Sequence, residues 1–290
     1  MNHKGLFVGL TTLDLLYLVA AYPSPNQKIV ALDGTVSAGG PATNAAVTFS
    51  YLGNQSTLLG VLGSHPMTQL IRTDLEEYGV NLTDLDPSRS ESPPVSSIII
   101  TQATGERAVI SINATKFKAT CQEIPAEIIA DFNIVLIDGH QISASKKIAQ
   151  LAKANNLPIV IDAGSWKPGF AEILPWVDYA VCSANFYPPN CRTTEEVFAY
   201  LSTQGIPYIA ITHGENPIQY LNQGTFGTIE VPACQAIDTL GAGDIFHGAF
   251  CHYILQENFT NALASAAEVA TYSCQFFGTR RWMQNNNFFK

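Results

Sequence analysis

The chain has 290 residues, of which 47% are hydrophobic and only 13% charged. That length is enough for one large α/β domain, or a domain carrying a small appendage, and the balance indicates a substantial core and excludes a disordered chain. A net charge of −9, with Lys and Arg scattered, excludes a basic nucleic-acid surface, although main-chain amides and a few local cations still suffice for a nucleotide. The six cysteines, Cys121, Cys182, Cys191, Cys234, Cys251 and Cys274, form no CxxC pair and no metal-ligand spacing with histidine. Buried free thiols in a reducing cytosol, and hence a cytoplasmic protein, are the expectation. Residues 5–21 are apolar and preceded by Lys4, like a signal peptide, but Asp14 interrupts them and no small-x-small site precedes Pro23. No later segment reaches the roughly 18 apolar residues of a membrane span.

Leu6-Phe7-Val8-Gly9 reads as a buried first strand, with Thr11-Thr12-Leu13-Asp14 just past its C-terminal end. Ligands collect at that edge of a parallel sheet, and the apolar flanks of Asp14 suggest a polar group aimed into a pocket. Leu15 to Ala20 and Ile29 to Val36 read as extended segments around the turn-rich Tyr22-Pro23-Ser24-Pro25-Asn26. Gly39-Gly40-Pro41-Ala42-Thr43-Asn44 opens a helix ending at Gly53. Its glycines permit close approach of a ligand, and Asn44 offers a donor and an acceptor, but a capped tight turn explains the segment equally well.

Ser56 to Val61 is expected as a strand and Met67 to Tyr78 as an amphipathic helix. Val95 to Thr101 and Arg107 to Ile112 form a hairpin pattern around Gln102-Ala103-Thr104-Gly105-Glu106. Arg107 just after the turn is either an anion reader or a solvated edge charge. From Phe132 onwards strands and helices alternate. Strands Ile134–Ile137, Ile159–Ile161, Tyr179–Cys182 and Tyr208–Ile211 end in Asp138-Gly139, Asp162, Ser183-Ala184-Asn185 and Thr212-His213-Gly214. Such apolar strands with polar ends predict a parallel sheet whose carboxyl edge is the site. Helices are expected over Ser143–Asn155, Thr194–Gln204 and Asn261–Cys274, and a small hairpin around Asn222-Gln223-Gly224.

The segment that organises the rest is Asp238-Thr239-Leu240-Gly241-Ala242-Gly243-Asp244, running into the apolar Ile245-Phe246-His247-Gly248. Small residues at 241–243 allow a sharp turn at a helix N-terminus, where unpaired N–H groups and partial positive charge suit a phosphate oxygen. Asp244 in the first turn is placed to take a proton from a hydroxyl lying against the same anion hole. There is no P-loop, no GxGxxG after the first strand, no GxSxG and no HExxH. His140, His213 and His247 stand alone, so pocket-lining or surface roles are expected and no metal ligands are assigned.

Two such Gly-rich segments, in this order and at this separation, resemble the ribokinase-like sugar kinases, the phosphofructokinase-B family. Gly53 and Gly63 follow the upstream segment, and Gly248-Ala249 the downstream one, at the family's spacings. The resemblance runs from Gly9 to about Gly278. Val8-Gly9-Leu10 with Leu13-Asp14, Tyr22-Pro23, Leu52-Gly53 and Lys167-Pro168 resemble the ketohexokinase branch. Three departures stand out. Pro41 replaces an Asn that contacts sugar in that branch, Pro188 replaces the Glu of an Asn-x-x-Glu motif begun by Asn185, and Pro217 replaces the second Gly of the nucleotide loop.

The resemblance implies an α/β ribokinase-like fold, a central mainly parallel sheet flanked by helices (αβα) with a small β-sheet lid. Residues 1–290 would be a single kinase domain, its lid formed from about 13–38 and 95–113, and homodimerisation through the lid is left open. It implies ATP-dependent phosphorylation of a small sugar's hydroxyl, foremost a primary one, with Mg2+ on the nucleotide phosphates and a monovalent cation left open. Asp244 would be the base and Gly241, Ala242 and Gly243 the anion hole. Asp14, Gly39, Gly40, Asn44, Arg107 and Asp238 fall on the substrate side, and Asn185, Thr212, Gly214, Ala270 and Cys274 on the nucleotide side. A nucleoside kinase, a phosphosugar kinase reading phosphate through Arg107 or Lys116, and a catalytically silent binding protein are the alternatives. The intact Asp244 disfavours the last.

Overall fold

The computed structural model describes residues 2–112, 118–119 and 124–285; Lys116 and Cys121 therefore lie outside the described residues. In chain order the elements are β1 (Lys4–Val8), β2 (Thr12–Val19), β3 (Asp33–Gly39), α1 (Pro41–Tyr51), β4 (Gln55–Gly60), α2 (Thr68–Glu77) and β5 (Val80–Asp84). Then come β6 (Val95–Thr101), β7 (Arg107–Ser111), β8 (Ile134–Ile137), α3 (Ile142–Ala154), β9 (Ile159–Ala163) and β10 (Tyr179–Ser183). The chain continues with α4 (Thr194–Thr203), β11 (Tyr208–His213), β12 (Asn216–Asn222), β13 (Thr225–Ile229), α5 (Ala242–Tyr253) and α6 (Phe259–Ser273).

The large sheet has the order β13-β12-β11-β10-β9-β8-β1-β4-β5. Every pairing from β11 across to β5 is parallel, and at the other edge the β11–β12 and β12–β13 pairings are antiparallel. The apolar strands are buried on both faces, as such strands must be. Phe7, Leu136, Val160 and Val181 face a core shared with α1, α2, α5 and α6, whereas Leu6, Val8, Val135 and Ile161 face one shared with α3 and α4. From β1 the chain first builds outwards through β4 and β5, then returns to the other side of β1 at β8. The strand order thus reverses between β1 and β8, and the crevice beyond their carboxyl ends is where such sheets bind ligands.

A second, four-stranded sheet has the order β3-β2-β6-β7. One face packs Leu16, Ile98 and Ile100 with Phe277, while Tyr17, Val36, Val109 and Ile110 are exposed. The sheet begins earlier than expected. Asp14 lies within β2, paired in register with Ser37 and Ser96, and not in a loop after the first strand. β3 starts at Asp33 rather than Ile29 and runs into Gly39. Its start is pinned by Arg281, whose Nη1 and Nη2 donate to Asp33. The edge strand β5 escapes the sequence reading because only Val80 of its five residues is buried, too weak an apolar signal.

The N-termini of α1 and α5 meet because these helices pack closely. A Cβ on Gly248 would lie 2.4 Å from the Ala45 carbonyl oxygen, so only glycine permits this approach.

Candidate active site

α1 starts directly after β3, with Gly40 as N-cap and Pro41 in the first turn, where a missing N–H costs nothing. Its N-terminus is held by Asp138, a fully buried carboxylate at the end of β8. Asp138 Oδ2 accepts the N–H groups of Leu10 (2.8 Å) and Ala42 (3.2 Å), and Oδ1 accepts that of His140 (2.9 Å). One anion thus ties the β1 loop to a helix N-terminus, the end that favours negative charge.

Asp14 reaches the same region from the small sheet. It is 8% exposed, accepts from Thr12 Oγ1 at 2.8 Å, and lies against Gly39, where a Cβ would fall 2.0 Å from its Oδ2. Burial pushes its carboxyl up, opposed by the Thr12 and Ser96 hydroxyls and the Arg280 charge.

α5 begins at Gly241, the N-cap, with φ 70°. Ala242 N–H donates to Thr239 O at 3.3 Å and Ile245 N–H to Gly241 O at 2.8 Å. Helix geometry leaves the first-turn N–H groups of Gly243 and Asp244 without an intrahelical acceptor. Asp244 Oδ2 accepts from Asn44 Nδ2 at 2.8 Å. This single bond brings together the two Gly-rich segments, 200 residues apart in sequence. Desolvation, then the nearby Asp162 charge, pushes the Asp244 carboxyl up to about 7, against the pull of Asn44 and His247.

Sequence reasoning missed the residue that orders this contact. Arg280 is 8% exposed. Its Nη1 donates to Asn44 Oδ1 (2.9 Å) and its Nη2 to Ala38 O (2.8 Å) and Asp74 Oδ2 (3.1 Å). With Oδ1 of Asn44 taken by a guanidinium, the amide turns Nδ2 towards Asp244. The only sequence signal was a pair of arginines among apolar residues.

Beside the α5 N-terminus opens a cavity of about 750 Å³, lined by Thr212, Gly214, Ala242, Gly243, Ala270 and Cys274 among others. Four of the five residues assigned to the nucleotide side therefore share this cavity with the turn that opens α5. Asn185 does not line this cavity; it is exposed, its N–H satisfied by Ser183 Oγ at 3.1 Å. Arg107 donates to Thr239 Oγ1 at 2.8 Å, so it ties β7 to the motif loop. Asp238 turns inward as well. Its oxygens accept the N–H groups of Leu240 and Gly278, each at 2.8 Å, which makes it a brace for the loop. Burial pushes its carboxyl up, against those two N–H groups and Arg107. Among the described residues, no group of three or more His, Cys, Asp or Glu is arranged to hold a metal ion, and no helix is long and apolar enough to cross a membrane.

A family profile described as pfkB family carbohydrate kinase matches residues 2–286. A ribokinase of Arabidopsis thaliana is 24% identical over 93% of this chain and 76% of its own. A ketohexokinase of Mus musculus is 22% identical over 96% of both chains. The structure of Arabidopsis thaliana ribokinase complexed with ribose and ATP superposes with a TM-score of 0.75 at 22% identity, covering 99% of this chain and all of that one. Ribokinases and a ketohexokinase stand at the same distance, so the resemblance to the ketohexokinase branch gains no preference.

Proposed function

The chain belongs to the pfkB family of carbohydrate kinases, and from that premise we propose that it transfers the γ-phosphoryl group of ATP to a hydroxyl of a small sugar, foremost a primary one. The observation that carries this reading is the 2.8 Å bond from Asn44 to Asp244, next in the chain to Ala242 and Gly243, which line the 750 Å³ cavity. It sets a carboxylate and the helix's first-turn N–H groups beside the Gly39–Asn44 segment. Phosphoryl transfer asks a protein mainly for positioning and charge stabilisation. Asp14, Asn44 and the main chain at Gly39 and Gly40 would hold sugar hydroxyls. Asp244 would accept the proton of the attacking hydroxyl, and the N–H groups at the α5 N-terminus would face the transferring phosphoryl group.

The cavity along β11 and α6, lined by Thr212, Gly214, Ala270 and Cys274, fits the nucleotide's base and ribose, being largely apolar with polar groups at one end. Magnesium would enter with the nucleotide and would neutralise phosphate charge, and no side chain of this protein is assigned to hold it. The five described cysteines are free, which fits a cytoplasmic setting. A coupled ADP-release screen over ketohexoses, pentoses, phosphosugars and nucleosides tests the reading. Acceptor-independent release, or none with any acceptor, would sink it.

Two outcomes follow from the sugar side. Asp14→Ala is expected to weaken sugar binding by roughly 1.5–3 kcal/mol, about 10- to 150-fold, since a carboxylate accepting hydroxyls makes charge-assisted bonds. ATP affinity without sugar should hold. Calorimetry showing unchanged sugar affinity would make Asp14 purely structural.

The second concerns Pro41, at the first position of α1. It offers no side-chain hydrogen bond, so a fructose hydroxyl that an Asn would satisfy loses a partner, a penalty of about 1–3 kcal/mol. Fructose should therefore not be the best substrate, and Pro41→Asn should raise its kcat/KM relative to the preferred sugar. A wild-type enzyme that favours fructose over all other sugars would refute this view of the pocket.

A further inference from the structure

One buried titratable group at the site has no part in the reaction as proposed. His247 lies one helical turn after Gly243 on α5 and is 5% exposed. Its Nδ1 stands 2.6 Å from the Gly243 carbonyl oxygen and its Nε2 3.1 Å from that of Val181 on β10. Asp162, in β9 and 4% exposed, brings Oδ2 to 3.3 Å from Nδ1. That oxygen is buried and accepts no hydrogen bond. A neutral imidazole has one N–H and one bare lone pair. It would turn that lone pair against one of two carbonyl oxygens, whereas a doubly protonated ring donates to both and gives Asp162 its counter-charge.

We propose that His247 is held as an imidazolium between Asp162 and the carbonyls of Gly243 and Val181, as the positioning residue of the anion-hole turn. The inference rests on the kinase reading above for its consequence, though not for the charge state. The Gly243 carbonyl belongs to the peptide whose N–H is that of Asp244. Gripping the carbonyl fixes that peptide and polarises its N–H towards the cavity. The imidazolium also offsets part of the Asp162 charge that pushes the Asp244 carboxyl up.

Few other charges act here. β9 contributes Asp162 and β10 the Cys182 thiol, which burial pushes far up; the Cys251 thiol on α5 is likewise pushed well up. α1 presents the neutral Asn44. The one carboxylate of α6, Glu268, is exposed. Asp244 and, more weakly, Asp14 add to these, and from the turn after β8 His140 feels the Asp162 charge together with Asp138 and Lys167.

Nitrogen-15 NMR of the wild-type protein reads the ring directly and needs no catalysis. Two protonated ring nitrogens at neutral pH are expected, and one bare nitrogen would overturn the proposal. Kinetics then test the consequence. His247→Asn should lower kcat by about 10- to 100-fold through misplacement of the turn, with the sugar KM changed by less than about 3-fold. Because Asp162 is left uncompensated, the acid limb of kcat/KM should move to higher pH. Adding Asp162→Asn should move the limb back towards the wild-type position, a reversal that loss of packing alone does not produce. An unmoved limb in H247N, or a further rise in the double variant, would overturn the positioning role. Absence of kinase activity in the wild type would instead refute the function proposed above, and the NMR result would still decide the ion pair.

Discussion

Asp244→Asn is expected to lower kcat by roughly 10²- to 10⁴-fold, the range of a general base, while sugar affinity changes little. The amide keeps an oxygen that can accept from Asn44 Nδ2, as the carboxylate does at 2.8 Å, so the pocket wall survives the change. What disappears is the proton acceptor, needed only as the hydroxyl attacks. As the proposed base, the same residue would set the pH dependence. Desolvation and the field of Asp162 push its carboxyl up to about 7, and only the deprotonated form is a base. Activity should therefore be lost as pH falls through about 7 and be full above it, and kcat/KM reports this group in the free enzyme. Turnover of D244N near that of wild type, or a kcat/KM flat from pH 8 to about pH 5 (two units below the carboxyl's midpoint), would remove Asp244 from the role.

What could be read from the sequence is what local chemistry encodes. Gly241-Ala242-Gly243-Asp244 declares a turn and a helix N-terminus within four residues, and Gly39 to Asn44 does the same. Strand ends such as Asp138 and Asp162 were visible as polar residues after apolar runs, which located the sheet's carboxyl edge. Their partners were not visible. Asp138 works on the N–H groups of Leu10 and Ala42, Asp162 on a histidine from α5, and Arg280 on Asn44, 236 residues away. Such contacts depend on which helices cross, and no period of 2 or 3.6 residues carries that information. Asn185 is a different case. Its assignment came from the first position of the Asn-x-x-Glu pattern; the turn after β10 leaves it exposed, its N–H tied back to Ser183. Asp238 and Arg107 lie beside the motif, and the bonds they make within the chain hold the loop.

Arg280→Met is expected to destabilise the fold by about 3–5 kcal/mol, the cost of leaving a buried charge without its partner. The stranded group is Asp74, whose Oδ2 accepts from both Nε (3.3 Å) and Nη2 (3.1 Å), with the pair's side chains 9% and 13% exposed. Two further acceptors, Ala38 O and Asn44 Oδ1, lose their donor at the same time. Methionine fills similar length and keeps contact with the Tyr78 ring, over which the guanidinium lies at 5.5 Å, so packing loss is the smaller part. Adding Asp74→Asn removes the stranded charge, and the double variant should be less destabilised than the sum of the singles. Arg280→Lys separates stability from catalysis. An ammonium retains the charge near Asp74 but cannot span Asp74, Ala38 and Asn44 with one planar fork. It should recover part of the stability yet leave the Asn44 amide free to rotate away from Asp244. Denaturant unfolding and kcat measured on all four variants check both halves. An R280M protein within about 1 kcal/mol of wild type would mean that the network is relaxed by solvent. An R280K protein with full kcat would mean that Asn44 needs no partner behind it.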